Sequence, residues 1–166
     1  MISDHTSVIV AGGVNRDYLN DVQVFGSKTD CQIKRLPFEG LYEHPSVFQL
    51  GRDFFVCGGT IVSEIVPEHE KRRTCLKLEN GEWKKYNFLI RDRVFATSIN
   101  TKSDEVYIFG GNGSPNDSEI LRFNNAEWQK GPDIPDGFSD GCGVRISETE
   151  LLLIGGSVAN SLNLTF

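Results

Sequence analysis

The side chains best suited to chemistry in this chain are four cysteines, at 31, 57, 75 and 142, and three histidines, at 5, 44 and 69. Structural zinc is held by closely spaced Cys or His pairs, and no C-x-x-C or paired-His spacing occurs. No phosphate-binding G-x-x-x-x-G-K-[ST], metalloprotease H-E-x-x-H or dinucleotide G-x-G-x-x-G is present. Gly110, Gly111 and Gly113 precede Ser114-Pro115 and not a helix start, so they build no phosphate cradle. Asp133 and Asp136 fall in a turn, where solvated carboxylates are the ordinary reading. The basic triplet Lys71-Arg72-Arg73 follows Glu68-His69-Glu70 and reads as a charged, solvated loop. A formal charge of −6 argues against a nucleic-acid partner, because phosphate binding rests on clustered Lys and Arg. The expectation is a protein that is not an enzyme, with no cofactor and no metal.

The elements behind these residues read as short strands. Seventeen Gly and eleven Phe, with few long periodic apolar runs, favour strands and tight turns over helices. No run approaches the ~18 apolar residues of a membrane helix, so no membrane partner is expected. The opening MISDHTSVIVAGG has neither the basic nor the apolar region of a signal peptide. Four segments share one pattern, several apolar residues and then a glycine pair: VIVAGG (8–13), FFVCGG (54–59), VYIFGG (106–111) and LLLIGG (151–156). Their first glycines lie at 12, 58, 110 and 155, giving spacings of 46, 52 and 45. Each apolar run is too short for a helix and reads as a buried strand. The pairs Gly12-Gly13, Gly58-Gly59, Gly110-Gly111 and Gly155-Gly156 are assigned to structure, since without Cβ a neighbouring backbone can approach and φ can turn positive.

The rest of the repeat follows each anchor. LNDVQVF (19–25) and SEILRF (118–123) read as the next strand, and a strand carrying Trp83 or Trp128 comes after it in two units. Both Trp residues are assigned to structure, and Cys31 stands where the first unit would carry its Trp. Pro37 and Pro135 mark exits, and strands 46–50, 95–99 and 142–146 lead back to the glycine pairs. Four short antiparallel strands, here termed A to D with the glycine pair ending B, recur every ~48 residues, the pattern of a propeller blade.

With these carriers in place, the chain resembles the kelch family over essentially its whole length. The expected fold is all-β: a partial kelch propeller of about three four-stranded antiparallel blades plus part of a fourth. Its single domain spans 1–166, with strands B to D of blade 1 at about 7–38 and blade 2 at about 45–89. Blade 3 spans about 94–135 and a partial blade 4 about 141–166. A generic β-sandwich is the alternative. The strand count does not close a ring, so the chain is expected to be an excerpt of a longer protein, prone to self-association through open blade edges.

In kelch proteins the B–C and D–A loops share one face, and the resemblance implies that partners bind there. By position this singles out Arg16 and Tyr18 in one B–C loop, and Tyr42, Glu43, His44, Arg91, Arg93, Phe138 and Asp140 in D–A segments. Arg can fork onto carboxylates and aromatic residues can anchor a partner. The alternatives are ordinary loop residues, an Arg93 paired within the fold and a Phe138 covering the core. Cys57, ending strand B, and Cys75, opening strand C, sit on neighbouring strands and are the disulfide candidate across a long charged loop.

The function expected is non-catalytic binding of a protein or other macromolecule. The alternatives are a substrate-receptor segment of a cullin-type ubiquitin ligase, and a fragment of a propeller enzyme resembling galactose oxidase. The Cys-bearing kelch pattern resembles secreted proteins, and Asn112, Asn116 and Asn163 open N-glycosylation triplets. The compartment therefore stays open, with the extracellular side preferred over the cytoplasm.

Overall fold

The computed structural model of this chain describes residues 2–3, 7–11, 14–15, 17–18, 22–26, 36, 41–62, 67–102, 104–122, 125–134, 136–157 and 162–165. Among them the regular structure is strand, interrupted by one 3₁₀ turn at Glu68–Glu70. The first sheet holds β1 (Ile2–Ser3), β2 (Ser7–Ala11) and β5 (Val22–Gly26), with a small hairpin of β3 (Val14–Asn15) and β4 (Asp17–Tyr18) between the last two. After β6 (Leu41–Glu43) come β7 (Ser46–Leu50), β8 (Asp53–Cys57) and β9 (Thr60–Val62). β10 (Cys75–Glu79) and β11 (Glu82–Lys85) complete a four-stranded second sheet in the order β7-β8-β10-β11. The third is β12 (Thr97–Lys102), β13 (Glu105–Phe109), β14 (Ser118–Arg122) and β15 (Asn125–Lys130), again in chain order. β16 (Gly141–Arg145), β17 (Glu150–Gly155) and β18 (Leu162–Thr165) form the fourth. All pairings are antiparallel, and within each of these four sheets the strands follow one another in chain order. The architecture is therefore all-β, with antiparallel four-stranded sheets.

Local chemistry sets these bounds. Asn80-Gly81, both at positive φ, turn β10 into β11, as a two-residue hairpin whose twist matches its strands requires. Apolar residues cover both faces of β13, so it reads as a continuous run in place of an alternating one.

The sheets stack face to face. Phe48, Phe55, Cys57, Cys75 and Leu89 of the second unit pack against Val106, Ile108, Leu121 and Trp128 of the third. Phe48 and Phe55 stack at 5.2 Å, and the Trp128 ring meets Phe48 edge-on at 5.9 Å. The other face of the third sheet, with Ile99, Tyr107, Phe109 and Ile120, packs on Leu151 and Leu153 of the fourth. Trp83 sits in the layer facing the first sheet with Leu36, Val56, Ile61 and Leu76. Both Trp side chains are thus buried. The first strands of successive sheets lie side by side, β1 by β7, β7 by β12 and β12 by β16. Ser46 donates to the Ala96 carbonyl (3.1 Å), Ser98 to Val47 (3.0 Å) and Asn100 to Gln49, stitching β7 to β12 with side chains.

Two expectations change. The first sheet begins at β1, so the chain opens on strand A and not on strand B; a two-residue strand is too short to show in the apolar pattern. The third A strand begins at Thr97, two residues later than read, because Phe95 turns into the left-handed region before pairing starts. The expected first D strand, 31–35, lies outside the described residues.

Candidate functional site

The glycine pairs explain how the loops are held. Residues 58, 59, 110, 111, 155 and 156 all have positive φ. A Cβ on Gly58 would lie 2.6 Å from the Arg93 carbonyl oxygen, and one on Gly110 would collide with that of Phe138. The following glycine uses the same approach: Gly59 N–H donates to Arg93 (2.7 Å) and Gly111 N–H to Phe138 (2.7 Å). Each B–C turn is therefore clipped to the D–A segment entering the next sheet. Gly12 and Gly13 lie outside the described residues.

A second set of contacts links B–C and D–A segments entering the same sheet. β6 pairs with β9, Tyr42 opposite Ile61 and Glu43 opposite Thr60. Val94 bridges Asn112, whose N–H donates to the Val94 carbonyl (2.7 Å). Ser139 accepts the Ser157 N–H (3.0 Å), and the two hydroxyls meet at 2.7 Å. Connections of both kinds thus converge on one end of the sheets.

At that end sit three residues at one repeat position. Register places Ser46 opposite Cys57, Thr97 opposite Phe109 and Cys142 opposite Ile154, each partner preceding a glycine pair. Two residues before these first-strand positions stand His44, Phe95 and Asp140. Their φ values are 50, 62 and 55°, and the one other non-glycine with positive φ among the described residues is the turn residue Asn80. Their backbones connect in series: Phe95 N–H donates to the His44 carbonyl (3.4 Å) and Asp140 N–H to the Phe95 carbonyl (2.8 Å). The His44 and Phe95 rings stack at 3.9 Å. Phe95, Asp140, Asn112, Ser139 and Ser157 line a cavity of about 130 Å³. His44 and Asp140 are exposed. In sequence Phe95 reads as a strand residue, and its equivalence in position to His44 and Asp140 is the signal that marks it.

Two expected binding residues are corrected by burial. Arg93 is 1% exposed, and Phe138 is fully buried beside Phe109, Ile134 and Leu153. The Arg93 Nε donates to Glu119 Oε1 (2.7 Å), while Nη1 donates to the carbonyls of Gly110, Ser114 (3.4 Å) and Asp117 (3.1 Å). Glu119 also accepts the backbone N–H groups of Ile90 (2.7 Å) and Arg91 (3.1 Å). The pair therefore ties the D–A segment at 90–93 to the whole B–C loop of the third sheet, leaving neither charge for a partner. Among the described residues Arg93 Nη2 has no acceptor. Arg91 is exposed at the rim, 3.8 Å from Asp117. Tyr18, Tyr42 and Glu43 are placed by backbone pairing, and Arg16 lies outside the described residues.

The disulfide expected between strands B and C forms: Cys57 and Cys75 are register partners, bonded and fully buried. Cys142 is free and exposed.

Two further cavities carry charges of both signs. One of about 110 Å³ is lined by Ile90, Arg91, Asp117, Ser118, Glu119 and Lys130. The other, about 280 Å³, has Lys102, Glu105, Arg122 and Glu148 on its wall. There burial pushes the Glu105 carboxyl up, but hydrogen bonds from Thr101 (2.7 Å) and Arg122 (2.6 Å) outweigh it and hold the group below the usual carboxylate range. Among the described residues no three His, Cys, Asp or Glu side chains gather as a metal-ligand set, and no helix is long and apolar enough to cross a membrane. No protein-family model matches this sequence, and no curated protein matches it.

Proposed function

We propose that this chain is a segment of a kelch-type propeller and acts as a binding module for another protein, without catalysis. The observation that carries the reading is the convergence of B–C and D–A segments on one end of the stacked sheets. There they are cross-linked by main-chain bonds from Gly59, Gly111, Asn112 and Ser157. Loops on a rigid scaffold are where recognition concentrates, because the framework prepays the ordering of the contact groups. Four sheets with their first strands side by side and their faces packed in sequence support the propeller reading. Val144 and Ile154 of the fourth sheet, and Ile146 in the turn between β16 and β17, are exposed, and self-association would run through them.

The test is selection of displayed random peptides on the immobilised protein, with counter-selection against a Tyr42→Ala/His44→Ala/Asp140→Ala variant. Peptides that bind the parent protein and lose the variant support the loop face. Peptides that bind both equally, or no peptides at all, remove the reading.

A further inference from the structure

Three non-glycine residues occupy the left-handed region at one repeat position, where glycine would sit without strain. Each costs on the order of 1–3 kcal/mol of backbone energy. For a ring as large as Phe95 this is a true outlier. The fold therefore carries an imidazole, a phenyl ring and a carboxylate side by side at a price in stability, and strain of this kind clusters where side chains are presented to a ligand.

The surroundings indicate the ligand's chemistry. Of the three cavities described, two hold both an Arg and a Lys beside their carboxylates, and in each the Arg is already engaged, Arg91 near Asp117 and Arg122 on Glu105. The cavity at the mouth holds no Lys or Arg: its walls are Phe95, Asn112, Ser139, Asp140 and Ser157. Among the described residues Asp140 makes no ion pair, although nine other cation–carboxylate contacts occur. An unanswered carboxylate beside an aromatic ring and hydroxyl and amide acceptors suits an organic cation, attracted by charge and by the ring's π-face. The chain's charge of −6 favours the approach of such a group.

We propose that the mouth formed by His44, Phe95 and Asp140 takes an arginine or lysine side chain of the protein partner. This rests on the loop-face reading above and adds the partner's chemistry. Asp140 supplies the counter-charge, Phe95 the aromatic wall, and the Asn112 amide oxygen and the Ser139 and Ser157 hydroxyls the remaining acceptors.

The probe is N-acetyl-arginine N-methylamide, titrated into isotopically labelled protein and followed by backbone amide shifts. The citrulline counterpart, matched in shape but uncharged, is the control. Saturable shifts at Phe95, Asn112 and Asp140, with the citrulline compound at least tenfold weaker, are expected. Asp140→Asn keeps a residue type tolerant of positive φ, and it is expected to weaken the arginine probe at least tenfold with an unchanged thermal midpoint. Phe95→Gly relieves the strain, so it is expected to weaken binding while leaving the midpoint equal or higher. Equal affinity for the two probes, shifts confined to other residues, or full binding by Asp140→Asn overturns the proposal. Selected peptides that bind the loop face but contain no basic residue overturn it too, while leaving the loop-face reading intact.

Discussion

The second and third sheets close the same loop by different chemistry. The register pair at the end of strand B is Cys57 with Cys75 in the second and Phe109 with Ser118 in the third. The second sheet's connection runs over 58–74 and is stapled by the disulfide. That of the third runs over 110–117, and one guanidinium, Arg93, holds three of its carbonyls. The position of Arg93 is taken by Tyr42 before the second sheet, where the strand pair β6 and β9 does the corresponding work. A covalent bond limits the unfolded chain, so it gains most where the loop is long. A buried ion pair acts in the folded state alone, and it suits a short loop whose carbonyls already face one point.

Breaking the electrostatic closure is expected to have the largest effect. Arg93→Ala leaves Glu119 buried and is expected to cost about 3–5 kcal/mol in urea denaturation, the usual penalty for orphaning one buried charge. The double change Arg93→Met/Glu119→Leu is expected to recover part of that loss. A cost below about 1 kcal/mol would show that the third loop needs no clamp.

Replacing Cys57 and Cys75 with alanine is expected to cost roughly 3 kcal/mol by the same assay, from the closed loop's length. Reduction of the parent protein should give a similar loss once the protein opens. If the third sheet's amides exchange faster in this variant as well, the two closures are coupled; unchanged exchange there would mark them as independent.

The glycines sharpen the comparison. Gly110→Ala and Gly155→Ala both meet a positive φ, a cost of roughly 1–2 kcal/mol. Only the Gly110 Cβ also strikes a backbone carbonyl, that of Phe138, whereas a Cβ on Gly155 meets nothing within 4 Å. Gly110→Ala is therefore expected to be worse by about 1–3 kcal/mol, the range for overpacking. Equal thermal midpoints for the two would refute the clip between sheets.

The smallest effect concerns acid. The Glu105 carboxyl lies below its ordinary range in the folded protein, so it contributes stability above its unfolded pKa and loses it as pH falls through the folded value. Arg122→Gln removes one of the groups that depress it. Between about pH 6 and pH 3 the variant is expected to lose slightly less stability than the parent, measured by urea midpoints at each pH.

Much of this was legible before the structure. β7 matches the segment read at 46–50, and β10 opens at Cys75, because apolar runs bounded by glycine pairs leave little freedom of register. The disulfide followed from that register. What stayed hidden depends on partners far apart in sequence. Arg93 and an exposed loop arginine look alike until Glu119, 26 residues away, is placed beside it. β6 and β9 are three residues long and pair across two connections, so neither shows periodicity. Phe95 looks like an ordinary strand residue, since a dihedral angle leaves no trace in composition. Of the candidate site, His44 and Asp140 were found by position alone, and their joint geometry was not.

The series of bonds from His44 through Phe95 to Asp140 uses peptide groups alone. Substitution can change every ring and carboxylate in that series but cannot delete an amide, proline apart. The shape of the mouth is therefore buffered against drift in a way its chemistry is not. A lineage could rewrite which ligand is accepted, one side chain at a time, without dismantling the frame that presents it.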